Sequence, residues 1–213
     1  MFYSERKTED FLEKNKFKIV KRGYASDEKE LENVLKKFNF PIVLKISGEK
    51  IVHKNRIGGI KINITNFRES LDTFRKFKKI DDFEGVVIQE QIGGNENSSR
   101  LGQIKGKEIL IGIKKTRDFG HAICVGAGGI NTEKLNDVSF RVFPFDGKEA
   151  EKMILEIEIS KSLDKKERKL VVDNLMKVCK LIKKYPKLSE LDINPLIVNK
   201  DKAFIVDARM VLD

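Results

Sequence analysis

The segments Leu191-Asp192-Ile193-Asn194-Pro195-Leu196 and Ile205-Val206-Asp207-Ala208-Arg209 constrain this chain more than any other stretch. Apolar runs on either side of Lys200-Asp201 predict a β-hairpin with that dipeptide at its tip. In that register Asn194 falls opposite Asp207, and Asp192 opposite Arg209. Residues two apart on a strand share a face, and directly opposed residues bring their Cβ atoms close. Two carboxylates and an amide therefore gather at one end of one face, with a guanidinium beside them. Such oxygen donors suit Mg2+, which takes one or two protein carboxylates and keeps its other positions for water and phosphate. The same residues also read as an Asp–Arg cross-strand pair and a turn-capping Asn on a solvated face. Both readings rest on the register, because a one-residue slip turns every side chain to the opposite face.

A chain of 213 residues, 40% hydrophobic and 36% charged, has the composition of a globular protein able to build a real core. No run approaches membrane-spanning length, and Met1 to Lys7 has no apolar stretch behind it. The net charge is +10. Much of the basic excess falls in helical patterns, for example Lys165, Lys166, Arg168, Lys169, Lys177, Lys180, Lys183 and Lys184, which read as solvated faces. Such faces can also attract polyanions: nucleotide phosphates, coenzyme A, nucleic acid or an acidic partner. Cys124 and Cys179 lie far apart in apolar contexts with no metal-binding spacing. The expectation is reduced, buried thiols in a cytoplasmic protein.

The rest of the chain divides into two α/β blocks, 1–92 and 93–213. In the first, helical spacing covers about 4–15, a strand 17–25, and a helix after Asp27 and Glu30, which predict a capping box. Then follow a strand at 41–46, an alternating strand with Ile60, Ile62 and Ile64, a helix after Asn66, and a strand at 85–90. The polar stretch from Gly93 to Gly106 reads as a loop. The second block opens with Ile109, Ile111 and Ile113 alternating and a turn at 116–120. Strands through Val125 and through Val138, Phe140 and Val142 follow. Helical stripes come next: Ala150, Met153, Ile154 and Ile157, then Val171, Leu175, Val178 and Ile182. Two such blocks predict a cleft between them, a common setting for ligands.

Several residues carry chemical potential. Lys45 interrupts an apolar strand, where it can reach a phosphate as a point charge or lie on an exposed edge. His53 stands in the polar loop Ile51-Val52-His53-Lys54-Asn55-Arg56-Ile57-Gly58-Gly59. A loop histidine there can act as acid, base or nucleophile, or simply be solvated. The cluster Gly126-Ala127-Gly128-Gly129 follows a strand and allows close backbone approach to phosphate. It matches neither the P-loop nor the dinucleotide fingerprint. His121, beside a turn, reads as structural. There is no Ser/His/Asp arrangement and no Cys/His cluster for zinc.

Taken in order, these motifs resemble a known family. They are Pro41-Ile42-Val43-Leu44-Lys45-Ile46, Val52-His53-Lys54 with Gly58-Gly59, Ile88-Gln89-Glu90, and Glu108 to Lys114. Next come Gly126-Ala127-Gly128-Gly129, Asp137-Val138-Ser139-Phe140-Arg141-Val142, and the closing hairpin. The set is similar to the beta subunit of ADP-forming acetate–CoA ligase, an NDP-forming acyl-CoA synthetase, with succinyl-CoA synthetase a more distant relative. The likeness covers nearly the whole chain. It implies an ATP-grasp fold, in which two α/β subdomains clamp a nucleotide. It implies phosphate contacts from Lys45 and Lys114, an adenine-bordering hinge at Gln89, Glu90 and Ile92, and Mg2+ held by Asn194 and Asp207. It also implies a phosphohistidine relay: an alpha-subunit histidine is phosphorylated first, and His53 passes the phosphoryl group to ADP.

Two departures from the family pattern stand out. Asn55 and Arg56 occupy positions where the family has Ser or Thr and then Asp. Asn95 to Lys105 reads as an insertion where the family has a tight turn. The implied activity is acyl-CoA + ADP + phosphate ⇌ acid + CoA + ATP, with ATP/ADP and Mg2+ bound here and a CoA-binding alpha subunit as partner in a hetero-oligomer. Two alternatives stay open: another ATP-grasp ligase acting on a carboxylate through an acyl phosphate, and a basic nucleic-acid-binding module. The phenylalanines fall at core-like spacing without a stacking motif, so no nucleic acid is expected, and no membrane association.

Overall fold

The computed structural model describes residues 2–48, 51, 54, 56–92, 106–129 and 137–213. They form two compact units, Val20–Lys105 and the combination of Met1–Ile19 with Gly106–Asp213.

The smaller unit is an antiparallel sheet of β2 (Arg22–Ala25), β3 (Ile42–Ser47), β4 (Ile60–Ile64) and β5 (Gly85–Glu90), in the order β2-β5-β3-β4. Helices α2 (Glu28–Leu35) and α3 (Phe67–Phe77) pack on one face. Alternation along the strands sends Ile42, Leu44, Ile46, Val86 and Ile88 into this core, against Leu31, Leu35, Phe74 and Phe77. Phe74 has no exposed surface, and Phe83 meets it edge-on with ring centroids 5.4 Å apart. Asp27 and Asn66 cap their helices through the Glu30 and Glu69 amides. The capping box expected at Asp27 is only half present: the Glu30 carboxylate bonds the Ser26 amide and hydroxyl one residue earlier.

Two sequence expectations are corrected in this unit. The strand foreseen at 17–25 begins only at Arg22, and Ile19 instead makes an isolated parallel bridge to Ile205. The Ile60, Ile62, Ile64 alternation breaks at a register shift in the β3–β4 ladder. Asn63 takes a left-handed φ of 58° there, and Ile62 turns out to solvent.

The larger unit is built on an antiparallel sheet in the order β1-β11-β9-β6-β7-β8, with β10 also paired to β9. Its strands are β1 (Phe2–Tyr3), β6 (Lys107–Thr116), β7 (Gly120–Ala127), β8 (Val138–Val142), β9 (Leu188–Val198), β10 (Ala203–Ile205) and β11 (Ala208–Leu212). Helices α1 (Glu5–Lys14), α4 (Gly147–Leu155) and α5 (Lys165–Lys184) join a 3-10 turn at Glu158–Ser162 in covering one face. Both foreseen helical stripes are buried: Ala150, Met153 and Ile154 on α4 with Ile157 just beyond it, and Val171, Leu175, Val178 and Ile182 on α5. A reciprocal capping box, Asp164 with Glu167, stands at the start of α5. Glu167 is itself buried and accepts the Lys107 ammonium at 2.8 Å, tying the helix to β6.

The first nineteen residues belong to this unit, whereas the sequence placed them with the segment ending at 92. The reason is pairing: β1 extends the sheet beyond β11, and Leu12 of α1 enters the larger core. No helix among the described residues is long and apolar enough to cross a membrane. Cys179 is buried and Cys124 half-buried, both free, and burial pushes the Cys179 thiol up to about 11.

The Asp137-to-Arg141 run fastens the β8 edge. Asp137 accepts the Glu158 and Ile159 amides at 2.6 and 3.0 Å, and its carbonyl accepts the Ala127 amide. Arg141 bridges Glu156 and Glu149, and holds both carboxyl groups below the usual carboxylate range.

Two outcomes follow from this packing. Phe74→Ala lowers the stability of the smaller unit by about 3–5 kcal/mol, read by urea unfolding, because a filled core site becomes a cavity. Arg141→Met lowers the melting temperature at neutral pH. Glu149 and Glu156 are more acidic folded than unfolded, so their contribution is present above the ordinary carboxylate range and fades as pH falls through their lowered values. The gap between wild type and Arg141→Met therefore closes in melts run below about pH 4.

Candidate functional site

The register foreseen for the closing hairpin is the one observed. Ala203, Phe204 and Ile205 pair with Val198, Ile197 and Leu196, and Ala208, Arg209 and Met210 with Ile193, Asp192 and Leu191. Between them the Val206 amide donates to the Pro195 carbonyl and the Asn194 amide to the Asp207 carbonyl, each at 3.1 Å. The tip is closed by Asn199, whose side chain accepts the Asp201 and Lys202 amides. On its other edge β9 carries an extra residue against β6: Ile109 pairs with Leu196, and the next pair is Ile111 with Ile193. This bulge falls at Asn194 and Pro195, whose peptide is cis. Bulges of this kind re-aim side chains and gather beside functional sites.

The glycine cluster docks onto that bulge. The Gly129 amide donates to Asn194 Oδ1 at 2.8 Å, and the Gly128 amide to the Glu108 carbonyl at 2.7 Å. Gly129 adopts φ +82°, and a Cβ at Gly128 would lie 2.8 Å from the Ile109 carbonyl carbon, so larger residues are excluded from this turn. A Cβ on Gly129 would overlap Glu108 Oε2, which places that carboxylate against the same turn. Glu108 is exposed, but desolvation by the protein around it raises its carboxyl pKa. Asp207 Oδ1 is enclosed by protein. Glu108, Asn194, Asp207 and the Gly129 backbone thus converge at one end of the sheet. Glu108 was not foreseen as a site residue. The available signal was a carboxylate opening the first strand of the second block, in a chain whose glycine turn comes back beside it.

Farther along the same face a row crosses five strands: Arg209, Asp192, Gly112, Cys124 and Phe140. Gly112 lets the row close up, since a Cβ there would stand 2.6 Å from Cys124 Sγ. Surrounding protein raises the Asp192 carboxyl pKa while Arg209 pulls it down, and burial raises the Cys124 thiol. Lys114 also lies on this face and pairs with Glu190 at 2.9 Å. Asn194 lies four positions beyond Glu190 on β9, so Lys114 stands roughly 13 Å along the strand from the bulge. His121 is buried and bonds the Leu188 carbonyl at 2.7 Å, the structural role expected of it.

In the smaller unit Lys45 and Gln89 are both nearly enclosed, at 4% and 1% exposure, on the sheet face opposite the α2–α3 core. They sit diagonally on adjacent strands, since Lys45 pairs with Val87 and Val43 with Gln89. Lys45 is therefore not a solvated edge lysine. Glu90, paired with Ile42, projects to the other face by alternation, so only its backbone shares the level of Gln89. The end of this strand is pinned by a reciprocal amide pair: Gln91 Oε1 accepts the Asn63 amide, and Gln91 Nε2 donates to Asn63 Oδ1, both at 2.7 Å. Ile92, just past it, is half-buried. Lys54 is buried and Arg56 exposed. His53, Asn55 and the Asn95–Lys105 stretch lie outside the described residues. Among the described residues no three His, Cys, Asp or Glu side chains cluster as a metal site. An ion held by one carboxylate and one amide, with water and phosphate completing its shell, needs no such trio.

The ATP-grasp domain model matches residues 2–212. The chain is 32% identical over 217 residues to acetate–CoA ligase [ADP-forming] II of Archaeoglobus fulgidus, covering 100% of this chain but only 30% of that protein's length. It is 34% identical over 201 residues to the acetate–CoA ligase [ADP-forming] I subunit beta of Pyrococcus furiosus, covering 88% of this chain and 82% of that subunit. Its fold also matches the dinucleotide forming acetyl-coenzyme A synthetase 1 of Ca. Korarchaeum cryptofilum. The form in complex with coenzyme A, Ca-AMPCP and HgCl+ gives a TM-score of 0.86 at 27% identity, over 100% of this chain and 93% of that one. The form with coenzyme A and Mg-AMPPCP, its phosphohistidine segment pointing towards the nucleotide binding site, gives 0.80 at 26%, over the same shares of the two chains. With the family model spanning residues 2–212 and a beta subunit matched over most of its length, the chain belongs to the ATP-grasp domain family, among the beta subunits of ADP-forming acetate–CoA ligases.

Proposed function

We propose that this chain is the nucleotide-binding part of an ADP-forming acid–CoA ligase, which interconverts acyl-CoA + ADP + phosphate with acid + CoA + ATP. The observation that carries the reading is the bulged hairpin, which gathers Asn194, Asp207 and the Gly128–Gly129 amides at one sheet end. Asn194 and Asp207 are the pair to hold Mg2+, with Glu108 beside them. The bound ion would supply positive charge against the nucleotide phosphates. The backbone of the Gly128–Gly129 turn can approach those phosphates closely. Lys45, nearly enclosed on its strand, adds a point charge. The strand end at Gln89, Glu90 and Ile92 borders the adenine, held in place by the Gln91–Asn63 amide pair.

Lys114 is assigned to the phosphates as well, which requires it to exchange Glu190 for the nucleotide. Such an exposed pair is worth little, so the exchange is inexpensive. His53 is the phosphoryl carrier. Its imidazole nitrogen takes the phosphoryl group as the N–P bond on the alpha-subunit histidine breaks. A terminal ADP oxygen then attacks the phosphorus, giving ATP and freeing the imidazole. The partner is a CoA-binding alpha subunit, present in the Pyrococcus furiosus relative by implication of its subunit name. The setting is the cytoplasm, consistent with two free thiols.

Three outcomes test these assignments. Asp207→Ala abolishes Mg2+-dependent ADP binding in calorimetry, while Asn194→Ala weakens it less, since an amide is a neutral ligand. Wild-type binding by both variants would reduce the hairpin to a structural element. Lys45→Met raises the ADP dissociation constant by about 10–100-fold with the fold intact, the loss expected for one charge-assisted phosphate contact. His53→Asn keeps Mg-ADP binding and alpha association but stops ATP formation from acyl-CoA. Acid-labile phosphate on the alpha subunit persists, because that step precedes His53. Full ATP synthesis by His53→Asn would make this histidine a bystander.

A further inference from the structure

On the helix side of the larger sheet, away from the face that carries Asp192 and Arg209, α5 borders a cavity of about 330 Å³. Leu170, Asp173, Lys177 and Lys180 follow one another at three- and four-residue spacing, so they share one face of the helix. Lys18 closes the cavity from the segment after α1, and Ala203 from β10. Three lysines thus line one space, two of them, Lys18 and Lys180, with exposed side chains. Asp173, the carboxylate of the lining, is already paired with Lys169 at 3.0 Å. None of the three lysines forms an ion pair among the described residues. Lys177 instead lies over the buried Phe17 ring, 5.6 Å from its centroid. Burial lowers the Lys177 pKa; Asp173 opposes this, and Lys18 and Lys180 add to it.

Like charges gathered around a partly desolvated space are unfavourable unless something neutralises them. The rest of the lining is Leu170, Met176 and Ala203 with the buried Asn174, whose side-chain amide is spent on the Leu170 carbonyl at 2.8 Å. The volume falls at the small end of the range of small-molecule sites. We infer that the cavity between α5, Lys18 and Ala203 is an anion site for a phosphate ester with a compact apolar group. The phosphate lies among Lys18, Lys177 and Lys180, and the apolar group against Leu170 and Met176. The site is separate from the assigned nucleotide residues and does not depend on that assignment. It does touch the same hairpin, because the Ile205 amide donates to the Lys18 carbonyl at 2.9 Å, two residues before Asp207.

The test is calorimetry on the full chain with phenyl phosphate at constant ionic strength, with inorganic phosphate and benzoate as comparators. Phenyl phosphate binds more tightly than either. Lys177→Met with Lys180→Met weakens it at least about tenfold, the loss of one or more charge-assisted contacts. Lys18→Met, outside the helix and on an exposed residue, weakens it too and serves if the double variant does not fold. Asp173→Asn removes a repelling charge and tightens binding about threefold, the scale of an exposed charge interaction. Lys45→Met leaves it unchanged. Absence of binding, or insensitivity to the α5 and Lys18 variants, overturns the site. Loss in Lys45→Met alone would assign the phosphate to the nucleotide residues and overturn it equally. Inorganic phosphate binding as tightly as phenyl phosphate overturns the ester assignment.

Discussion

The larger unit hangs on one strand. β9 pairs with β6 on one edge and with β10 and β11 on the other, and β11 in turn holds β1. Every side chain of the closing hairpin takes its face from that register, since a slip of one residue would exchange Ile193 and Met210 in the core for Asp192 and Arg209. The bulge at Asn194 and Pro195 is the local exception. It lets Ile193 and Leu196 both enter the core while Asn194 turns to meet the Gly129 amide. Packing on one side and polar convergence on the other therefore come from one irregularity in an otherwise regular ladder.

Much of this was legible in the residues. The alternation in Ile109, Ile111 and Ile113, the helical stripes of α4 and α5, and the hairpin about Lys200-Asp201 all depend on local periodicity, which the tertiary structure enforces. Lys45 was ambiguous for a physical reason. A lysine in an apolar strand fits either an edge or a covered face, and only pairing on both sides, with β4 and with β5, decides it. Read from the sequence, the chain divides once, at 92, whereas the units part at two places, after Ile19 and after Lys105. β1 is two residues long and carries no pattern of its own; its place is set by β11, at the far end of the chain.

What stayed hidden shares one feature, a partner remote in sequence or a break in period. Glu108 reaches the site through a glycine turn some twenty residues away. Ile62 was misread because an alternating pattern presumes an unbroken ladder, and Asn63 breaks it. Glu30 looked like a capping-box partner, yet a carboxylate three residues into a helix has other donors in reach, and Glu30 took the Ser26 amide. The Asp137-to-Arg141 run, distinctive in sequence, fastens β8 to α4 and the 3-10 turn; its conspicuous chemistry serves architecture.

The pairing of β1 with β11 also orders events in time. The larger unit is discontinuous: its opening strand and helix are made first, but the strands that receive them lie at the carboxyl end. All of Val20–Lys105 leaves the ribosome in between, with the whole of its own core. Vectorial synthesis can thus complete the inserted unit while α1 still shows its apolar side, Leu12 included, to solvent or to a chaperone. A chain stalled between Lys105 and Leu188 would carry every residue of the smaller unit, and an amino-terminal strand and helix whose partner strand, β11, is still missing.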